Sequence, residues 1–172
     1  MGFLKNLLLP QVAQPQPTMP IVVTGLPQTA ISAILSGKKP KLKVNKLKLL
    51  KGEECRFFDH AVRVDEKLRV VGNQKTRNGF SIRIISGVYY RTGAGNTMTV
   101  RDKVQDYQEG KLYITNKRII FSASAKSFSK RLTDLISYNT QDNYLILQFE
   151  KGNYCIYLPV IHCADQVMQD LM

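Results

Sequence analysis

No acidic residue precedes Glu53, although the 172-residue chain contains 13 of them. The same stretch holds eight lysines and no arginine, so +8 of the formal +12 charge lies in the first 51 residues. Cysteine is scarce as well. Cys55, Cys155 and Cys163 are odd in number and widely spaced, form no Cys-x-x-Cys pair, and have only His60 and His162 for company. That argues against a disulfide framework and against a zinc site, and it suits thiols kept in a reducing compartment. Proline almost vanishes after residue 40: Pro10, Pro15, Pro17, Pro20, Pro27 and Pro40 come before that point, and only Pro159 beyond it. The apolar N-terminal stretch carries Lys5 and is cut short by Pro10. It is too brief for a membrane span and lacks a small-x-small cleavage site, so no signal peptide is expected. Gly2 would suit myristoylation, but Asn6 stands where that motif wants Ser or Thr.

Catalytic signatures are missing too. There is no Gly-x-Ser-x-Gly elbow, no His-Glu-x-x-His and no convincing carboxylate pair. Gly93 and Gly95 stand in a Gly-x-Gly without the remaining spacing or lysine of a phosphate loop, and Asp65-Glu66 reads as a turn. His60 alternates with Phe58 and Val62 and belongs in a sheet; His162 opens a helical pattern. The expectation is a protein that is not an enzyme, with no catalytic residues, no metal ligands and no cofactor.

What is present is mostly strand. The clearest stretch is residues 110–121, Gly-Lys-Leu-Tyr-Ile-Thr-Asn-Lys-Arg-Ile-Ile-Phe. Two apolar runs flank Asn116-Lys117, which predicts a hairpin, with Asn able to take the left-handed backbone of a tight turn. Period-two patterning predicts further strands at 55–64, 68–71, 80–91, 98–104, 111–114, 118–122, 127–132, 144–149 and 154–158. The last two are joined by 150–153, read as a longer hairpin loop. After Leu158 the period changes: Ile161, Ala164, Val167, Met168 and Leu171 form a helical stripe over 159–172, with Pro159 suited to the first turn. A short helix is predicted at 28–36, where Ala30, Ile31, Ile34 and Leu35 recur at helical spacing before Gly37. The chain thus divides into a proline-containing arm, 1–40, and a body, 41–172. Periodicity alone gives a mainly β barrel or sandwich closed by a helix.

The hairpin resembles that of GRAM and bacterial pleckstrin-homology-like (PH-like) domains, whose pattern is Gly-x-apolar-x-apolar-Thr-x-x-Arg-apolar-x-Phe. Gly110, Leu112, Ile114, Thr115, Arg118, Ile119 and Phe121 match it. The resemblance implies a partly open barrel of two orthogonal antiparallel sheets with a C-terminal amphipathic helix plugging one end. It also implies that Arg118 supports the turn more than it contacts a ligand. More strands are predicted than the usual seven and the 80–91 segment is long for one strand, both of which an additional hairpin or a split strand inserted before Gly110 would explain.

Charge placement carries the remaining signal. Lys38, Lys39, Lys41, Lys43, Lys46, Lys48 and Lys51 put seven charges into fourteen residues. Such a run attracts phosphates on a membrane or nucleic acid; alternating lysines also solvate and protect an edge strand. Lysine without arginine or interleaved aromatics argues against base readout. A second basic group comprises Arg77, Arg83, Arg91, Lys117, Arg118, Lys126, Lys130 and Arg131. Of these, Lys117, Lys130 and Arg131 join the lysine run as candidate anion- or lipid-binding residues.

The leading expectation is a cytoplasmic binding module of a bacterial or mobile-element protein, docking a protein partner at a barrel edge or groove, with Tyr89, Tyr90, Tyr113, Tyr138 and Tyr144 available to that surface. The runner-up is peripheral binding to an anionic membrane at its inner face through residues 38–51, aided by an apolar foot of Phe3, Leu4, Leu7 and Leu8. The third is a nucleic-acid-associated accessory protein of low sequence preference. A sheet edge or helix face would each permit a homodimer.

Overall fold

The structure, a computed structural model, describes residues 17–75 and 97–172. Among the described residues, seven strands, β1 (Cys55–Lys75), β2 (Thr97–Thr115), β3 (Arg118–Ala123), β4 (Phe128–Arg131), β5 (Leu135–Gln141), β6 (Tyr144–Phe149) and β7 (Gly152–Tyr157), are bracketed by helices α1 (Gln28–Leu35) and α2 (Ile161–Leu171). They form one antiparallel sheet in the order β4-β3-β2-β1-β7-β6-β5. Its outer strands, β4 and β5, do not pair with each other, so the sheet is not closed. The halves meet where β1 pairs with β7 at only three positions, Val62 to Val64 against Tyr157 to Cys155. The mainly β fold with a C-terminal helix agrees with the periodicity. The predicted strand at 80–91, the turn around Gly93 and Gly95, Arg77, Arg83, Arg91, Tyr89, Tyr90 and the apolar foot lie outside the described residues.

Several local expectations are corrected. The segments 55–64 and 68–71 are one strand, and so are 98–104 and 111–114; β1 and β2 pair from Cys55 against Thr115 to Lys75 against Thr97. Asp65-Glu66 is therefore inside a strand and not a turn. The local sequence disfavours this, because the register sets Asp65 directly opposite Asp106, and like charges facing each other across strands repel. Lys126 resolves the conflict by donating to Asp65 Oδ2 at 2.8 Å and to Asp106 Oδ2 at 2.6 Å. Lys67 adds a 2.7 Å contact to Asp106, and Arg63 Nε one of 2.9 Å to Asp65. Hydrogen bonds from Lys126 and Lys67 hold the Asp106 carboxyl down at about 2. Burial pushes Asp65 up, but the bonds from Lys126 and Arg63 outweigh it and leave it below the usual range. Arg63 also lies 5.0 Å from the Tyr154 ring centroid and 6.0 Å from that of Phe128, so it links β1 to both β7 and β4.

Strand β5 has no counterpart among the predicted strands. Its sequence, Leu-Ile-Ser-Tyr-Asn-Thr-Gln, has little apolar alternation, and pairing with β6 organises it. The Asp142-Asn143 turn, with Asp142 at φ 53°, brings Gln141 opposite Tyr144. The loop from β6 to β7 is shorter than expected: Phe149 pairs with Gly152, leaving Glu150-Lys151 as a two-residue turn, and Gly152 at φ 103° supplies the backbone that other residues avoid.

The core lies on one face of the sheet. Phe57, Ala61, Leu112, Ile114, Ile119 and Phe121 pack with Leu145, Leu147, Phe149 and Ile156. The expected stripe of α2 covers them: Ile161, Ala164, Val167 and Met168 are buried, and Leu171 partly so. The helix starts at Ile161, leaving Pro159 ahead of its first turn. From α1, Ala30 and Ile34 enter the same core with Leu26, while Leu35 stays exposed. Packing therefore does not separate α1 from the body. Among the described residues no helix is long and apolar enough to cross a membrane.

The chain before α1 is tied to β1 by one buried carboxylate. Asp59 Oδ1 accepts from Gly25 N at 2.7 Å, Thr24 Oγ1 at 3.1 Å and its neighbour His60 N at 2.8 Å. Its other oxygen is buried without a hydrogen-bond partner among the described residues. Burial raises the Asp59 pKa despite those three bonds. A raised folded value makes the stabilising contribution largest below the ordinary carboxylate pKa and removes it as pH rises through the folded value. Urea unfolding at stepped pH should show this loss in the parent, and Asp59→Asn should flatten it.

Gly110 is demanded by packing. A Cβ there would stand 2.5 Å from the Ser122 carbonyl oxygen and 2.7 Å from the Phe121 ring. The backbone of β3 cannot recede without breaking its ladder with β2. Gly110→Ala should cost about 1–3 kcal/mol of stability, read as a lower urea midpoint with an unchanged slope.

Candidate functional site

The lysine-rich segment is a strap, not an edge strand. Among the described residues only Leu42 makes a ladder contact, an isolated bridge to Cys55. Alternation still has its physical reason, since one side of the strap is buried against the sheet. Leu42, Val44 and Leu47 pack on Cys55, Phe58, Tyr113 and Ile120, a small second core on the face opposite the main one. Each such half-buried aliphatic side chain contributes about 1 kcal/mol. The intervening Lys41, Lys43, Lys46 and Lys48 are exposed, as are Lys38, Lys39 and Lys51. The strap thus holds ammonium groups outward from a fixed backbone. Burial also pushes the Cys55 thiol up to about 12, and Tyr113 rises for the same reason. Neither is poised for chemistry.

The end of the strap is fastened by Glu53, whose side chain has no exposure. Arg118 grips it with a fork, Nε to Oε1 at 2.7 Å and Nη2 to Oε2 at 3.1 Å. Leu50 N donates to Oε2 at 2.7 Å, and Thr115 Oγ1 lies 2.8 Å from Oε1. Thr115 has one hydroxyl proton, and the carboxylate is a stronger acceptor for it than the Arg118 carbonyl at 3.0 Å. The Thr115 oxygen in turn accepts from Lys117 N at 3.2 Å and Arg118 N at 2.9 Å. Arg118 Nη2 finally donates to the Lys48 carbonyl at 2.9 Å. Burial works to raise the Glu53 pKa, but the bonds from Arg118, Leu50 and Thr115 outweigh it and hold the carboxyl below its usual range.

This corrects the expected turn chemistry. Neither Asn116 nor Lys117 has a positive φ. Asn116 acts through its side chain, accepting from Glu54 N at 2.8 Å and donating to the Gly52 carbonyl at 3.1 Å. The hairpin motif is therefore a clamp for the strap. Leu112, Ile114, Ile119 and Phe121 fill the core, whereas Thr115 and Arg118 hold Glu53.

The basic residues separate by role. Lys117 Nζ donates to the Lys51 carbonyl at 2.6 Å, Arg131 pairs with Asp134 at 3.1 Å, and Lys41 pairs with Glu54, which also binds Arg56 at 2.6 Å. Those cations support the scaffold. Lys38, Lys39, Lys43, Lys46, Lys48 and Lys130 make no ion pair among the described residues. Beside the strap runs a groove lined by Ile21 to Val23, Lys46, His60, Glu109, Gly110, Lys111, Tyr113 and Ser122. Sequence reasoning missed Lys111 and His60 as companions of Lys46, because only the strap's path brings these three positions together. It also missed the outward apolar residues: Ile21 is 95 %, Val23 72 % and Leu50 55 % exposed. Of the tyrosines offered as a surface, Tyr113 is buried, and Tyr138 and Tyr144 are half-buried. Among the described residues no three metal-ligating side chains gather.

Compared with family models, curated proteins and solved structures, the chain shows no match to any of them.

Arg118→Ala leaves the buried Glu53 charge without its main partner and should destabilise by about 3 kcal/mol, with Arg118→Lys recovering part of the loss. Because the Glu53 pKa is depressed, its contribution is present above the ordinary carboxylate range and is lost as pH falls through the folded value. In acid, the unfolding midpoints of parent and Arg118→Ala should therefore converge.

Proposed function

We propose that this protein is a non-enzymatic binding module that docks peripherally on an anionic membrane through the lysine strap. The observation that carries the reading is the pairing of charge with exposed aliphatic surface. Lys46 shares a groove with Ile21 and Val23, and the exposed Leu50 stands in sequence between Lys48 and Lys51. A bilayer interface rewards both, with about 1 kcal/mol for each lysine near an anionic surface and further gain from apolar insertion. Nucleic acid rewards only the first, and residues 38–51 contain no arginine and no aromatic residue. The strand order around a short β1–β7 seam, with α2 over the core, supports a PH-like barrel as the scaffold. In this reading the hairpin motif is structural and the ligand-facing residues lie on the strap.

A second reading keeps the protein partner expected from the hairpin. Edge strand β5 carries no charged side chain, and an open edge of that kind accepts an added strand from a partner or a second copy.

Co-sedimentation with phosphatidylcholine vesicles containing phosphatidylglycerol should retain the full chain at low salt and release it progressively at high salt. Replacing Lys43, Lys46 and Lys48 together by Gln should weaken the apparent affinity at least about tenfold. Failure to bind such vesicles at low salt, or binding indifferent to the three substitutions, would remove the membrane reading.

A further inference from the structure

We infer that the outer part of the β1–β2 ribbon is an arm that binds duplex DNA. It is a different part of the chain from the strap, and the inference stands without the membrane reading. The sheet stops part-way along both long strands: β7 pairs with β1 no further than Val64, and β3 pairs with β2 no further than Gly110. Beyond those points β1 and β2 pair with each other alone, from Asp65 opposite Asp106 to Lys75 opposite Thr97. At about 3.3 Å per residue, this outer ladder runs roughly 30 Å, and among the described residues no third strand joins it. A two-stranded ribbon is marginal on its own in water, so such a length contributes little to the fold. Its base is nonetheless firmly built. Lys126 donates to both Asp65 and Asp106, Lys67 contacts Asp106, and Arg63 contacts Asp65.

The acids at the base are thereby neutralised, and beyond it the charge is of one sign. Positions 68–75 and 97–103 hold Arg69, Lys75, Arg101 and Lys103 against one acid, Asp102. The register also denies the ribbon an apolar face. Leu68 stands opposite Lys103, Val70 opposite Arg101, Gly72 opposite Val100 and Gln74 opposite Met98. No pair in this stretch is apolar on both strands, so a bilayer or a hydrophobic partner finds no continuous apolar strip. Duplex DNA suits both features. Its major groove, about 12 Å wide, admits a two-stranded ribbon, and a phosphate backbone runs along either wall. Each ribbon strand carries two of the four cations, so both walls are met, whereas a membrane offers its charge from one side. Arginine, absent from the strap, stands on both strands here. Positions 68–75 and 97–103 contain no aromatic residue, which removes the stacking platform that single strands use.

The test is fluorescence anisotropy of a labelled duplex of mixed sequence, about two helical turns long, titrated with the full chain between about 50 and 200 mM salt. The duplex should be retained at low salt with a steep salt dependence. Replacing Lys75, Arg101 and Lys103 together by Gln should weaken binding at least about tenfold and flatten the slope of log affinity against log salt by about 2 to 3. Replacing Lys43, Lys46 and Lys48 by Gln removes the same charge from the strap and should weaken it less than about threefold. Asp102→Asn should tighten binding, a gain that misfolding cannot produce. No retention of the duplex at low salt would overturn the inference, and so would equal losses from the two triple variants, which general charge alone would give. Equal affinity for a single strand of the same length would overturn the assignment to the duplex groove. If the ribbon variant lost anionic vesicles as strongly as DNA, the ribbon would be a bilayer contact and the DNA arm would fall.

Discussion

A carboxylate with no exposed side-chain surface stands where three pieces of chain meet, and the arrangement of the outer face depends on it. Glu53 closes the strap, Thr115 ends β2 and Arg118 begins β3. A buried charge of this kind is tolerable only when its lone pairs are filled and a cation faces it. Arg118, Thr115 and the Leu50 amide supply those partners. The same guanidinium reaches the Lys48 carbonyl, so satisfying the charge also fixes the backbone that carries the lysines. Turn, strap and cationic surface form one mechanical unit.

A second charge problem is solved at the other end of the hairpin. Asp65 and Asp106 face each other in register, and Lys126, from the turn between β3 and β4, bonds both. Lys126 sits at φ 53°, an uncommon conformation for a residue with a side chain, and its carbonyl accepts from Arg63 at 2.8 Å. Arg63 then lies near Phe128 and Tyr154. The network joins β1, β2, the β3–β4 turn and β7 where the β1–β7 ladder is only three residues long. Several of the body's cations are thus committed to the scaffold, whereas Lys38, Lys39, Lys43, Lys46 and Lys48 of the strap, with Lys111 and Lys130, make no ion pair among the described residues.

These commitments explain what could be read early. The apolar positions of residues 110–121 follow strand periodicity, and the core uses Leu112, Ile114, Ile119 and Phe121 accordingly. The stripe of α2 and the span of α1 were equally legible, because a helix that buries one face must repeat its apolar residues at helical spacing. Strand β5 was not, since its seven residues gain their order from β6 and not from a pattern of their own. Asp65-Glu66 misled for a similar reason: acidic pairs belong to turns when only neighbours are counted, and Lys126 is 61 residues away from Asp65. The lysine strap shows both sides of the matter. Its alternation correctly announced one buried and one solvated side, but alternation is shared by any extended segment that covers an apolar face.

The sequence by itself determined the mainly β class, the terminal helix, the hairpin and the concentration of positive charge, because each is written in local spacing or composition. The tertiary structure alone decided that the charged segment lies over the sheet, that Arg118 is spent on Glu53, and that Lys46, His60 and Lys111 line one groove. Those outcomes depend on partners tens of residues apart, whose meeting is set by strand register and by the need to satisfy buried charge.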